Sequence, residues 1–112
     1  MANKGFEIST YSISMGDRLS FGGGQYQFRR VISCNSKDGQ RLIIYFQAEG
    51  EQLYPPFTDL DIGLGRIFLP VSEFSAFVDV LRNEKPLYGY ISDQKPEWNT
   101  LRTLQEPVGE AE

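Results

Sequence analysis

The chain has 112 residues, a formal net charge of −4 and a hydrophobic fraction of 40%, which predicts one small domain with a buried core. It contains no histidine and a single cysteine, Cys34. An internal disulfide is therefore excluded, and the commonest general base and zinc ligand are missing. The acidic balance argues against bulk attraction to nucleic acid.

The compartment is predicted from what the sequence does not contain. No window approaches the roughly 18 consecutive apolar residues of a membrane span, and the first ten residues lack the apolar run of a signal peptide. With one cysteine, these features predict a soluble protein in a reducing cytoplasm and no contact with a membrane.

The N-terminal third predicts strands. Apolar and polar residues alternate over residues 6–15 with a slip near Thr10, which indicates a bulge or a strand that crosses between faces. The dipeptide Gly16-Asp17 predicts a turn. The glycine run at 22–24 predicts a flexible connection or a strained turn.

The middle of the chain predicts a hairpin. Residues 25–34 and 41–49 alternate as strands around the turn sequence NSKDG, and Leu42, Ile44 and Phe46 share one face of the second strand. Residues 49–65 show no stable period and predict a long loop, with an edge strand near 59–62. A further strand follows at 65–69.

One amphipathic helix is predicted over about residues 72–83. Its apolar stripe has the spacing i, i+3, i+4 and i+7 and consists of Phe74, Phe77, Val78 and Leu81. Pro70 marks the end of the preceding strand and Ser72 is the predicted N-cap. Asn83 and Pro86 give the stop.

The C-terminal part predicts a second hairpin. Residues 87–92 have strand character, 93–97 form a turn, and 98–104 are read as a returning strand in preference to a short helix. The predicted fold is therefore α+β: a curved antiparallel β-sheet with one amphipathic helix on one face, plus this C-terminal hairpin. Residues 1–104 are predicted to form the domain and 105–112 an acidic disordered tail.

The residue types offer little for catalysis. Cys34 has no histidine partner and is read as a packed residue. Asp59 and Asp61 resemble the start of a calcium loop but lack its later acidic ligands, so they predict a polar turn. The glycine runs fit turns better than phosphate loops. We therefore expect no enzyme activity, no metal and no cofactor.

Surface recognition remains as a function. If the helix covers the face of Leu42, Ile44 and Phe46, the opposite sheet face carries guanidinium and aromatic groups. Such a mixture suits single-stranded nucleic acid, because bases stack on aromatic rings while arginines meet phosphates. The predicted site consists of Arg29, Arg41, Tyr45, Arg66 and Phe68.

A structural alternative stays open for the same face. Ile43, Tyr45 and Phe68 could instead be buried against another strand layer or a dimer mate, with arginines at the rim. Arg30 follows Phe28 on the presumed core face, so it must reach the sheet edge or a carboxylate.

The order of these elements resembles a known unit. A strand with Arg41 and alternating apolar positions to Phe46 precedes the run Gly65-Arg66-Ile67-Phe68-Leu69, which leads through a proline into a helix with Phe74 in its first turn. Over about residues 25–82 this is similar to the ββββα unit of the single-stranded-DNA-binding transcriptional coactivators and their Pur-type and Whirly-type relatives. The resemblance implies a curved antiparallel sheet with a helix across it, a homodimer and a role in transcription regulation.

The sequence thus carries two function hypotheses. The first is a non-enzymatic homodimer that binds single-stranded DNA or RNA on an open sheet face. The alternative is an acidic protein-protein interaction module, accessory subunit or inhibitor, because exposed aromatics anchor interfaces and an acidic body steers toward a basic partner. The aromatics predicted for that interface are Tyr54, Phe57, Tyr88, Tyr90 and Trp98.

Overall fold

The computed structural model describes residues 3–103, which form two β-sheets and one α-helix. The α+β prediction is confirmed. The strands are β1 (Asn3–Glu7), β2 (Thr10–Phe21), β3 (Tyr26–Asn35), β4 (Arg41–Gln47), β5 (Phe57–Asp59), β6 (Leu64–Pro70), β7 (Leu87–Ser92) and β8 (Thr100–Thr103). The helix α1 spans Phe74–Asn83 and follows a 3-10 turn at Val71–Glu73.

The strands form a large and a small sheet, and the predicted C-terminal hairpin belongs to the small sheet. The large sheet has the order β2-β3-β4-β6-β5, and the small sheet has the order β1-β7-β8. All described pairs are antiparallel except β4 and β6, which run parallel. A parallel pair needs a crossover, and the long segment between these two strands, which includes edge strand β5, supplies it.

The helix lies where its apolar period predicts, and its stripe packs on the predicted strand face. Its N-terminus is different from the prediction, because no side chain of the cap residues closes the helix. Ser72 instead donates its N–H and its hydroxyl to the carboxylate of Glu49, at 3.1 and 3.3 Å. This anion from the loop after β4 sits at the positive end of the helix dipole.

The main core lies between the large sheet, α1 and the small sheet. We call the side of the large sheet that bears α1 the helix face. Its buried residues come from all three layers: Phe6, Ile32, Cys34, Leu42, Ile44, Phe46, Leu81, Leu87 and Ile91. Arg30 was predicted to reach the sheet edge or a carboxylate, but its guanidinium instead stacks 4.8 Å from the ring centroid of Phe74. Phe28, predicted on the same face, packs with Tyr45 and Phe68 on the opposite side of the sheet.

The two sheets are joined by a close backbone approach and a buried amide. A methyl group on Gly65 of β6 would collide with the side chain of Ile91 in β7. Glycine at this position therefore lets β7 of the small sheet pack closely against β6. Asn99, which is 4% exposed, accepts the N–H of Ser92 at 2.9 Å and donates to Thr58 of β5 at 2.9 Å.

The N-terminal prediction needs three corrections. The slip near Thr10 is a change of sheet: β1 belongs to the small sheet, β2 to the large one, and residues 8–9 connect them. Gly16-Asp17 is not a turn, because β2 continues through a bulge between Met15 and Leu19. The edge strand predicted near 59–62 is β5, at Phe57–Asp59.

The other hairpins follow the prediction. The glycines at 22–24 all have positive φ, from 68° to 91°, and close the β2–β3 hairpin. The strands β7 and β8 form the C-terminal hairpin, so the strand alternative for this segment is confirmed. Residues 105–112, the predicted acidic tail, lie outside the described residues. Within 3–103, no helix is long and apolar enough to cross a membrane.

The close approach at Gly65 predicts a stability effect. We expect Gly65→Ala to lower the free energy of unfolding by about 1–3 kcal/mol, because overpacking forces the small sheet away from β6. Urea unfolding followed by circular dichroism measures this change. Gly5→Ala is the matched control, since its added methyl would lie 3.9 Å from the nearest atom. Equal stability of the two variants would contradict the steric role of Gly65.

Candidate functional site

The predicted nucleic-acid residues lie on or beside the outer face of the large sheet, the side opposite the helix face. Tyr45 and Phe68 are each only 5% exposed, however. Arg66 is half-buried, whereas Arg29 and Arg41 are exposed. The two rings that were predicted to stack with bases are therefore covered in this structure.

The cover over Tyr45 comes from the tip of the β2–β3 hairpin. β3 pairs with β4 only from Arg30 onward, and its earlier residues leave the sheet and fold over the outer face. Phe21 and Phe28 of this arm lie with their ring centroids 4.8 Å from that of Tyr45. The bulge in β2 bends the arm at this point, because extra residues on one strand increase the local twist.

The loop before β5 and the first residue of β5 cover Phe68. The rings of Tyr54 and Phe57 lie 5.3 and 6.2 Å from that of Phe68. Gln47, which is 1% exposed, fixes this loop: its amide donates to the Gln52 carbonyl at 3.1 Å and accepts the Tyr54 N–H at 3.0 Å. The loop is thus tied to the end of β4.

Together these rings form a second hydrophobic core on the outer face, which we call the aromatic cluster. Ring pairs of this kind contribute about 0.5–1.5 kcal/mol each beyond area burial. The cluster confirms the alternative in which the outer face is buried against another layer, and that layer is this chain's own arm and loop. Its members are Phe21, Tyr26, Phe28, Tyr45, Tyr54, Phe57 and Phe68.

Arg66 closes the rim of the aromatic cluster. Its Nε donates to the hydroxyl of Tyr45 at 3.0 Å, and its guanidinium carbon lies 4.9 and 5.1 Å from the ring centroids of Phe21 and Phe57. Planar guanidinium groups stack well on rings in this way. Arg66 therefore has structural partners that a phosphate would have to replace.

The two exposed arginines are far apart. Arg41 pairs with Asn35 at one end of β3, whereas Arg29 lies six positions back along the same strand. At 3.2–3.4 Å per residue their backbones are roughly 20 Å apart. The guanidinium groups of Arg29 and Arg41 are thus two separate exposed cations. The structure does not bring the five predicted residues together in one open site.

The residues of the predicted protein interface divide between two sides of the large sheet. Tyr54 and Phe57 belong to the aromatic cluster, whereas Tyr88, Tyr90 and Trp98 belong to the small sheet and its turn, which pack on the helix face. Trp98 is 49% exposed, and the nearby Lys95 ammonium lies 5.6 Å from its ring centroid. Tyr90 stacks with Arg102 at 4.2 Å.

A different surface was missed by the sequence analysis. β2 is an edge strand of the large sheet, and its residues 10–15 are all exposed. Tyr11, Ile13 and Met15 are 38%, 38% and 64% exposed. Their register opposite Cys34, Ile32 and Arg30 places them on the helix face, beyond the cover of α1.

We call residues 10–15 the edge segment. Its alternation was visible in the sequence, but alternation alone indicates a half-buried strand and does not show that the strand is last in its sheet. Beside it lies a groove of about 550 Å³. Residues 7–11 form one wall, and the end of α1 with the residues that follow it, among them Arg82 and Lys85, forms the other.

The remaining residues that the sequence analysis considered for chemistry are Cys34 and the aspartates at 59 and 61. Cys34 is fully buried, and burial raises the pKa of its thiol to about 12, which keeps it protonated and unreactive at neutral pH. Asp59 accepts the N–H of Asp61 at 3.1 Å, as in the predicted polar turn. Among residues 3–103 no three acidic, cysteine or histidine side chains group as a metal site.

Comparison of the chain with protein-family models, with curated proteins and with solved structures finds no match. The resemblance to the single-stranded-DNA-binding coactivators therefore stays a prediction, as does the binding of nucleic acid.

Arg29 and Arg41 allow a clean test of the nucleic-acid hypothesis, because both are exposed and can be changed without opening the aromatic cluster. If single strands bind here, Arg29→Ala and Arg41→Ala should each weaken the affinity for an oligonucleotide and reduce its salt slope by about one unit. Fluorescence anisotropy at two salt concentrations measures both. Lys37→Ala, in the exposed β3–β4 turn, is the control. No binding at low salt would exclude this function for the outer face.

The raised pKa of Cys34 predicts a pH dependence of stability. An unfolded thiol ionises from about pH 9, whereas the folded one stays protonated to about pH 12. Above pH 9 the unfolded state therefore binds fewer protons, and the free energy of unfolding should decrease by up to about 1.4 kcal/mol per pH unit. Urea unfolding of the wild type and of Cys34→Ala between pH 8 and 10.5 isolates this contribution. Parallel curves for the two proteins would contradict it.

Proposed function

We propose that this chain is a non-enzymatic protein-interaction module that binds an extended protein segment along the free edge of β2. The observation that supports the proposal is the edge segment itself. Along six consecutive exposed residues, the main-chain N–H and C=O groups that point away from β3 are paired with no other strand of residues 3–103, and an added strand is the natural partner for such groups.

The side chains of the edge segment also favour a protein partner. Tyr11, Ile13 and Met15 form one apolar row, and Thr10, Ser12 and Ser14 form a hydroxyl row on the other face. None of the six is charged. Proteins usually blunt an open edge with lysine, proline or a bulge, and none of these devices occurs between residues 10 and 15.

The other sheet edges are less suited to pairing, as far as the structure describes them. β5 has three residues. β1 has five and carries Lys4 and Glu7, while β8 carries Arg102, which is engaged with Tyr90. Short or charged edges resist the addition of a strand. The edge of β2 is thus the surface that best fits a binding role.

We also propose a reducing, cytoplasmic setting for this module. The buried thiol of Cys34 supports it, because the described fold uses its cysteine as a packing residue and not as a crosslink.

A photo-crosslinking amino acid tests the proposed function. We expect p-benzoylphenylalanine at position 13 to give discrete protein adducts in cells that express the chain, because a bound strand would lie beside it. The same replacement at Ile62, which is 55% exposed in the turn before β6, is the matched control. The masses of the adducts are read by gel and mass spectrometry. Adducts at position 13 no stronger than those at position 62 would contradict the proposal.

A further inference from the structure

We infer that the occupant of the β2 edge is a second copy of this chain, paired antiparallel through the edge segment around a two-fold axis at Ile13. This inference rests on the proposed function and names its partner. The two large sheets would then join into one continuous ten-stranded sheet.

The register follows from the apolar row. With Ile13 opposite Ile13 of the second copy, Tyr11 faces Met15 of that copy and Met15 faces its Tyr11. All three exposed apolar side chains of each copy are then covered by apolar partners, as an isologous two-fold contact requires. On the other face Ser12 faces Ser14 of the second copy, and hydroxyl pairs of this kind are favourable across strands.

Neighbouring registers of the same kind are worse. A shift to Ser12 as the centre places Met15 opposite Ser9 and leaves its side chain, the most exposed of the three at 64%, without an apolar partner. A shift to Ser14 as the centre places Tyr11 opposite Asp17. If one strand slips by a single residue, the apolar row of one copy lies opposite the hydroxyl row of the other.

Charge also favours a copy over an acidic or basic partner. The chain carries −4 overall, yet its edge segment carries no charge, so two copies can meet here without placing like charges opposite each other. The nearest charged residues of β2, Asp17 and Arg18, lie in the bulge between Met15 and Leu19, outside the paired segment. A strongly charged partner segment would find no counter-charge along this strand.

Both ends of the edge segment limit the contact. The bulge after Met15 bends β2 away. On the other side the chain leaves for the small sheet, where the N–H of Ile8 bonds to the Leu87 carbonyl at 2.9 Å. One short strand and three side chains per copy make a contact at the lower end of interface sizes. We therefore expect a reversible dimer with a dissociation constant on the order of micromolar.

Sedimentation of the purified full chain tests the dimer. The mass should rise from 12.8 kDa toward twice that value with concentration, over about 1–300 µM for a micromolar dissociation constant. Ile13→Lys should weaken dimerisation at least about tenfold, because it places two ammonium groups opposite each other. Ile62→Lys, the same change at an exposed isoleucine away from β2, should have no effect.

Introduced cysteines test the register independently of stability. Directly opposite Cβ atoms in an antiparallel pair lie about 4.5–5.5 Å apart, close to what a disulfide spans. Ile13→Cys should therefore link to itself under mild oxidation. Met15→Cys alone should not, but it should link when mixed with Tyr11→Cys. Native Cys34 is fully buried and does not compete.

The outcomes separate this inference from the proposed function. A monomer at every concentration, or a dimer unaffected by Ile13→Lys, overturns the paired copy. If position 13 then still gives adducts with another protein, the edge binds a different partner and the proposed function stands. If position 13 gives no adduct in cells, the proposed function fails as well.

Discussion

The fold depends on the burial of β4 on both of its faces. Six consecutive residues of this strand, Leu42 to Gln47, are at most 8% exposed, and they alternate between the two sides of the large sheet. A strand of this kind needs two covers. The chain supplies α1 and the small sheet on one side, and the hairpin arm with the loop before β5 on the other. The parallel pairing of β4 with β6 is typical of strands that are buried on both faces.

The two covers explain why the outer face is not an open platform. Of the aromatic cluster, Tyr45 and Phe68 belong to central strands, and the others come from the arm or from the loop and edge strand β5. Arg66 completes the arrangement with a hydrogen bond and two ring contacts. The same residue types that suit base stacking also make a good internal core, and here the chain's own rings cover Tyr45 and Phe68.

The sequence predicts a large part of this architecture. The helix, the β3–β4 and C-terminal hairpins and the face shared by Leu42, Ile44 and Phe46 follow from period and turn residues. The covering of Tyr45 does not, because it depends on a contact between Phe21 and a strand more than 20 positions away. Alternation assigns Tyr45 to a face but cannot show what lies on that face.

The same limit applies to the edge. Tyr11, Ile13 and Met15 have the alternation that is typical of a strand with one buried side, but alternation does not show what lies against that side. Strand order is set by long-range pairing, and it places β2 last in the large sheet. Gly16-Asp17 reads as a turn, yet it forms the bulge that bends the arm over the outer face. The turn propensity of this dipeptide predicts a break in the regular strand, but it cannot distinguish a reversal of the chain from a bend.

An open, uncharged β2 edge is a liability for a monomer. An uncharged, apolar edge strand can template the addition of further strands without limit, which leads to aggregation. The two-fold pair that we propose would avoid this outcome, because it uses the one edge of this kind that the described residues of each copy present. In that pair the bulge and the crossing to β1 would end the contact after a few residues and so keep it short and reversible. The device that folds the arm over the aromatic cluster therefore also sets the length of the surface that remains for a partner.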